Sequence, residues 1–198
     1  MPLTIREAGP KDREALAHSL AEAFLEEPVS IWAVPPERLR RPLLVRFFRE
    51  YLRQHERYGT VWCDDDRMGA AIWSPPGESK MGIGDTIALV ARVFHPRMIF
   101  RGPLLAWGGL AVERRQPAAQ DFFYLAALGV SPAAQGRGLG SKLMAPAFEL
   151  CDTDRVGAYL ESSKPENIDF YNRHGFRVTG EQRLPRGPLI PLMYRKPN

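Results

Sequence analysis

The chain has 198 residues, of which 44% are hydrophobic and 25% charged, and its net charge is +4. This length and balance support one well-buried core and exclude a disordered, fibrous or collagen-like chain. The mild positive charge would attract a phosphorylated ligand, but without an RRM or zinc-finger signature it does not indicate a nucleic-acid partner.

The N-terminus, Met-Pro-Leu-Thr-Ile-Arg-Glu, lacks the apolar stretch of a signal peptide. Leu3 to Ala8 alternates apolar and polar residues and is predicted as a strand that Gly9-Pro10 breaks. Leu16, Leu20 and Phe24 then recur at helical spacing, predicting a helix from about Lys11 to Leu25 that Glu26-Glu27-Pro28 ends. From Pro36 to Tyr58, Leu39, Leu43, Phe47 and Tyr51 mark one helical face. Arg38, Arg40, Arg41, Arg46, Arg49, Arg53 and Arg57 cover much of the rest. They read as a solvated face partly balanced by Glu37, Glu50 and Glu56.

Two strands follow, Thr60–Cys63 and Met68–Ser74, joined through Asp64-Asp65-Asp66-Arg67. The aspartates lack the other ligands and the glycine of a calcium loop, so a polar hairpin turn is expected and no metal site. Cys63 and Cys151 form no CxxC pair and have no histidine cluster nearby. They read as small apolar residues of a reducing, cytoplasmic protein. Residues 81–112 are apolar but carry Asp85, Arg92, His95, Arg97 and Arg101. That pattern predicts two amphipathic helices broken at His95-Pro96 rather than a membrane span, so no membrane partner is expected.

A further breaker lies at Gln116–Gln120, and Asp121–Val130 is almost wholly apolar, as in a central strand buried on both faces. A helix over Gly140–Cys151, a strand over Ala158–Glu161, a short helix over Pro165–Arg173, and strands over Phe176–Arg183 and Leu189–Arg195 complete the chain. No internal repeat or domain boundary appears.

The chemistry-bearing stretch is a strand, a short loop, a glycine cluster and a helix: Leu128-Gly129-Val130, Ser131 to Ala134, then Gln135-Gly136-Arg137-Gly138-Leu139-Gly140-Ser141. The first N–H groups of such a helix lack internal partners and carry the positive end of its dipole. Glycines let a pyrophosphate come close to the backbone, and Arg137 and Lys142 add charge. A dinucleotide fold competes, with Glu161 where a ribose-binding acid would fall. Against it, the spacing is G-x-G-x-G-S, and only 58 residues follow Gly140. The P-loop signature is absent.

Gln135-x-x-Gly138-x-Gly140 resembles the [QR]-x-x-G-x-[GA] acetyl-CoA signature of the GCN5-related N-acetyltransferases (GNAT family). Asn167-Ile-Asp-Phe170-Tyr171-Asn-Arg-His-Gly175-Phe176 is similar to that family's N-x-x-x-Y-x-x-x-G-F segment. Leu160-Glu161-Ser162-Ser163 and the ending from Pro185 to Pro197 resemble the puromycin N-acetyltransferase branch, as does Val61-Trp62 with Ala71-Ile72-Trp73.

The resemblance implies a single α/β (α+β) domain with a mixed, mostly antiparallel sheet of six or seven strands, flanked by helices, whose fourth and fifth strands splay apart. An acceptor half would span about 1–120 and an acetyl-CoA half about 121–198. It implies transfer of the acetyl group of acetyl-CoA to a primary amine, expected to be a small molecule. Protein N-terminal acetylation and a non-catalytic acyl-CoA sensor are the alternatives. No sequence feature sets the oligomeric state, and a homodimer is allowed.

By the same resemblance, main-chain groups of Leu128, Gly129 and Val130 would bind the pantetheine arm, with Asn167. Gln135, Gly136, Arg137, Gly138, Leu139, Gly140 and Ser141 would hold the pyrophosphate. Tyr171 would protonate the leaving thiolate. Glu161 ends a buried strand and reads equally as the general base or as a structural hydrogen-bond acceptor. Glu26 and Glu27 lie at the end of the first helix, where the family often lines its acceptor site, though either one singly reads as ordinary helix-end surface charge. His18, His55, His95 and His174 read as surface or packing residues, and Trp32, Trp62, Trp73 and Trp107 as core.

Overall fold

The computed structural model describes residues 4–116 and 121–198. The beginning of the first expected strand at Leu3, and residues 117–120 of the expected breaker, lie outside them. In chain order the elements are β1 (Ile5–Glu7), α1 (Arg13–Ala23), α2 (Pro28–Ala33), α3 (Glu37–His55), β2 (Val61–Asp64), β3 (Gly69–Ser74), α4 (Ile83–Val93) and α5 (Gly102–Glu113). Then come β4 (Phe122–Val130), α6 (Leu139–Asp154), β5 (Gly157–Glu161), α7 (Asn167–Arg173), β6 (Arg177–Arg183) and β7 (Leu189–Arg195).

The strands form one sheet of seven in the order β1-β2-β3-β4-β5-β7-β6. Every neighbouring pair is antiparallel except β4 with β5. Side chains of a strand alternate between faces, and β2 and β3 divide accordingly. Trp62, Ala71 and Trp73 join Leu143, Met144 and Ala147 of α6 in one buried cluster. Val61, Cys63, Ala70 and Ile72 join Leu16 and Leu20 of α1 and Phe48 and Leu52 of α3 in another. Each such buried leucine or phenylalanine contributes roughly 1.5–3 kcal/mol, which fixes helices on both faces.

Strand β4 departs from the expected uniform burial. Ile72 pairs with Ala127 and Trp73 with Leu125, so Ala126 is an extra residue, a β-bulge. Before the bulge Phe123 and Leu125 face α6; after it Ala127 faces α1 and α3. β4 pairs with β5 only through Phe122–Leu125 opposite Gly157–Leu160. From Ala126 to Val130 the strand has no partner on that side, and the sheet parts into a cleft.

Two further elements differ from expectation. Glu27-Pro28 starts a helix rather than merely ending one. Pro28 stands at its first position, where a missing N–H costs nothing, and Glu27 caps it. Arg40 does not belong to the solvated basic face. It is 5% exposed, and its guanidinium donates to the carbonyls of Leu25, Val34 and Pro35 at 2.9–3.0 Å. It therefore ties the chain entering α2 to the chain leaving it. The three aspartates do form the β2–β3 turn, where Asp64 Oδ1 accepts from the Gly69 amide at 2.8 Å.

The two helices expected between 81 and 112 are α4 and α5, separated by a 3-10 turn over Pro96–Arg101. Ile83, Ile87, Val90 and Phe94 of that segment stay exposed, while Leu89 is buried. Of the tryptophans, Trp62 and Trp73 are core and Trp107 is exposed. Trp32 fills a gap that only glycine leaves open: a Cβ on Gly108 or on Gly187 would lie 2.6 Å from its ring. Its indole N–H donates to the Pro185 carbonyl at 2.9 Å. No helix among the described residues is long and apolar enough to cross a membrane.

Candidate active site

The parting of β4 and β5 opens a cleft of about 570 Å³ between the end of α1, the loop before α6, and α7. Leu128, Gly129, Val130, Gln135, Gly136, Gly138, Leu139, Gly140, Ser141, Asn167, Tyr171 and Glu161 all line it. The expected residue that does not is Arg137, whose side chain is exposed to solvent. The basic residues at the rim are Lys164 and Arg173 instead.

The glycine loop has the geometry of a phosphate cradle. Gly136 and Gly138 both have φ near +75°, and a Cβ at either would meet no protein atom within 4 Å. The space there is open, and the backbone conformation disfavours any side chain. Gly138 is the N-cap of α6 and offers no side chain to its first N–H groups, leaving them for an anion. The Gln135 amide donates to the Val130 carbonyl at 3.0 Å and fixes the loop to the strand end. Gly129 serves packing as well: its Cβ would fall 2.6 Å from Leu20 and 3.0 Å from Phe24. Ser141 Oγ lies 2.9 Å from His174 Nε2, and His174 packs on Phe148 and Phe170, a packing role as expected.

Tyr171 is 8% exposed and packs edge-on against Phe170 and Phe176. Burial, and after it the charge of Glu27, raises its pKa, so it stays a neutral proton donor at physiological pH. Glu27 Oε2 accepts from the Val29 and Ser30 amides at 3.0 and 3.1 Å. Its Oε1 takes no protein hydrogen bond among the described residues. Burial raises the Glu27 pKa; the two amides and Lys164 oppose that rise.

Glu161 is held differently. Its Oε2 accepts from the Tyr124 hydroxyl at 2.6 Å and its Oε1 from the Gln116 amide at 3.3 Å. Burial raises its pKa against these bonds. Glu26, by contrast, is exposed and pairs with Arg40.

Sequence reasoning placed Glu27 where an acceptor site could be lined but favoured helix-end surface charge, although the Glu-Pro pair at a helix start was a readable signal. It passed over Ser163 as a site residue; its Oγ is buried in the cleft wall with no hydrogen-bond partner among the described residues. Nothing in the spacing marks that residue. An orphaned hydroxyl, an unpaired strand edge and a glycine cradle at a helix N-terminus are together the fittings for an extended amide chain ending in a diphosphate. The residues present therefore fit coenzyme A and its thioesters.

A family model described as "Acetyltransferase (GNAT) domain" matches residues 101–178. An uncharacterised N-acetyltransferase of Schizosaccharomyces pombe is 26% identical over 94% of this chain and 81% of its own length. The crystal structure of an HPA2-type histone acetyltransferase and related acetyltransferase from Corynebacterium glutamicum superposes with a TM-score of 0.68. The match covers 100% of this chain and 98% of that one, at 22% identity. An agmatine N-acetyltransferase superposes at 0.67, covering 99% and 100%, at 18% identity. Arylalkylamine N-acetyltransferase 2 from Aedes aegypti superposes at 0.65, covering all of both chains, at 15% identity.

The chain is similar to GNAT-type acetyltransferases in sequence and shares their fold, which supports an acetyl-CoA-dependent acetyltransferase. The structural neighbours establish the fold, and the acetyltransferase depends on acetyl-CoA, the co-substrate the GNAT family generally uses. In this acetyltransferase the paired ends of β4 and β5 mark where the cleft begins.

Proposed function

We propose that the protein acetylates a primary amine of a small molecule by direct attack on the thioester. The observation that carries this reading is that Tyr171 and Glu27, one of whose carboxylate oxygens takes no hydrogen bond among the described residues, line the same cleft. A proton acceptor and a proton donor thus share one cleft, as this reaction requires. Two similarities support it: one relative is an uncharacterised N-acetyltransferase, and one structural neighbour is an agmatine N-acetyltransferase, whose substrate is a small amine.

Acetyl-CoA supplies an activated acyl group. The Leu128–Val130 edge of β4 and Asn167 hold the pantetheine arm, and the backbone from Gln135 to Ser141 holds the diphosphate. A free alkylamine, of pKa about 10, is mostly protonated at neutral pH. Glu27 Oε1 takes that proton and leaves the nitrogen lone pair free. Glu27 is preferred to Glu161 as base because its second oxygen is free, whereas both oxygens of Glu161 carry a donor. A main-chain N–H near Leu128 stabilises the developing charge on the carbonyl oxygen. Tyr171 gives its hydroxyl proton to the departing sulfur; the second proton, shed by the newly acetylated nitrogen, restores the Tyr171 hydroxyl, and the one on Glu27 passes to solvent. The likeness to the puromycin branch adds an antibiotic-like amine to the acceptors worth assaying.

Tyr171→Phe is expected to lower turnover by about 100-fold or more and to leave acetyl-CoA affinity nearly unchanged. Thiol release across a panel of amines, with calorimetry for the cofactor, measures both. Unaltered turnover removes Tyr171 from the mechanism. Binding of acetyl-CoA with no amine consumed points to a sensor.

A further inference from the structure

The transfer scheme leaves one buried carboxylate of the cleft unused. Glu161 ends β5, lines the cleft and pairs with no lysine or arginine among the described residues. Its two donors, the Tyr124 hydroxyl and the Gln116 amide, are neutral. A carboxylate withdrawn from water without a cation is costly, and it is stabilised either by taking up a proton or by pairing with a cation.

Two more polar atoms near it are not fully satisfied. Gln116 Oε1 is buried with no hydrogen-bond partner among the described residues, and the buried Tyr159 hydroxyl lies against the Glu161 carboxylate without a well-formed hydrogen bond. Tyr159 is 1% exposed and lies on the same strand face as Glu161, two residues away. An unpaired buried acceptor costs about 1–3 kcal/mol, so the Gln116 carbonyl calls for a donor. The rings of Tyr124 and Tyr159 lie 6.1 Å apart beside the carboxylate, and aromatic faces attract cations. A water or a hydroxyl supplies hydrogen bonds but no charge. An ammonium or guanidinium group supplies both.

We propose that Glu161, with Gln116 and Tyr159, is a subsite for a second cationic group on the acceptor. The preferred substrates are then amines that carry an ammonium or guanidinium at their far end. This rests on the reading of the cleft as an amine acetylation site. Glu27 receives the reacting nitrogen, and Glu161 anchors the tail.

The test compares α,ω-diamines of three to six carbons with the monoamines of equal length. For the best diamine, kcat/KM exceeds that of its monoamine by about tenfold or more, the scale of a charge-assisted contact. Glu161→Gln keeps the shape and removes the charge; it brings the two substrates within about twofold, chiefly through the KM of the diamine. Monoamines and diamines used equally well by the wild-type enzyme overturn the subsite. So does a Glu161→Gln enzyme that loses the same factor on both, since that marks a role in the chemistry itself. If Glu161→Gln does not fold, Tyr159→Phe removes one hydroxyl beside the carboxylate and lowers the diamine preference about threefold; an unchanged preference overturns the proposal. Failure to acetylate any amine sinks the acetylation reading as well, whereas acetylation without diamine preference sinks the subsite alone.

Discussion

In the proposed reaction Glu27 performs two tasks with one side chain. One oxygen caps α2 by accepting from Val29 and Ser30; the other is left to the cleft. Glu27→Gln keeps an oxygen for the cap and abolishes the base. We expect kcat/KM to fall about 100-fold or more with little change in thermal stability. The pH profile gives a second reading. Burial raises the pKa of Glu27 above the ordinary glutamate value, and only the ionised form accepts a proton. Wild-type kcat/KM therefore rises as pH climbs through that raised pKa, and this acid limb disappears in the variant. An unchanged limb would assign the base elsewhere. Glu27 was visible in the sequence but misjudged, because a proline after two glutamates reads as a stop. The cleft-facing oxygen depends on Arg40, whose bonds to Leu25, Val34 and Pro35 hold the bend. No local pattern separates that buried arginine from its six exposed-looking neighbours.

Among the elements, β4 and the loop after it carry the site. The strands themselves were legible: alternation, breakers and apolar runs mark all seven near their observed bounds. The bulge at Ala126 was not, because a strand apolar at almost every position has no period for an extra residue to interrupt. Gly129 shows what the bend permits, since α1 lies directly against its backbone. Gly129→Val forces Leu20 and Phe24 aside and is expected to cost about 1–3 kcal/mol, measurable as a lower denaturant midpoint. Gly138→Val acts on the ligand instead. It places a branched side chain at φ near +75° in the open cradle. Acetyl-CoA affinity should fall at least about tenfold in a chain that still folds, as followed by calorimetry. Normal affinity would move the diphosphate away from this loop.

Across the whole molecule, the sheet is continuous only through the four β4–β5 pairs. A ligand lying in the cleft binds the folded chain and not the unfolded one. At a hundred times its dissociation constant it stabilises by about 2.7 kcal/mol. For a chain of this size that corresponds to a rise in Tm of about 5–11 °C, and scanning calorimetry with and without acetyl-CoA checks it. A Tm unmoved by saturating acetyl-CoA contradicts the assignment of the cleft. The order of the strands, and hence the gap, arises from contacts between residues far apart in the chain, which no local spacing encodes.

The bare flank of β4 between Ala126 and Val130 also dictates what an inhibitor must look like. A flat, compact drug would strand peptide groups that need counterparts every 3.3 Å or so along one side. A ribbon-shaped molecule with amides in strand-like register would zip onto it, behaving as an eighth strand borrowed from outside the chain.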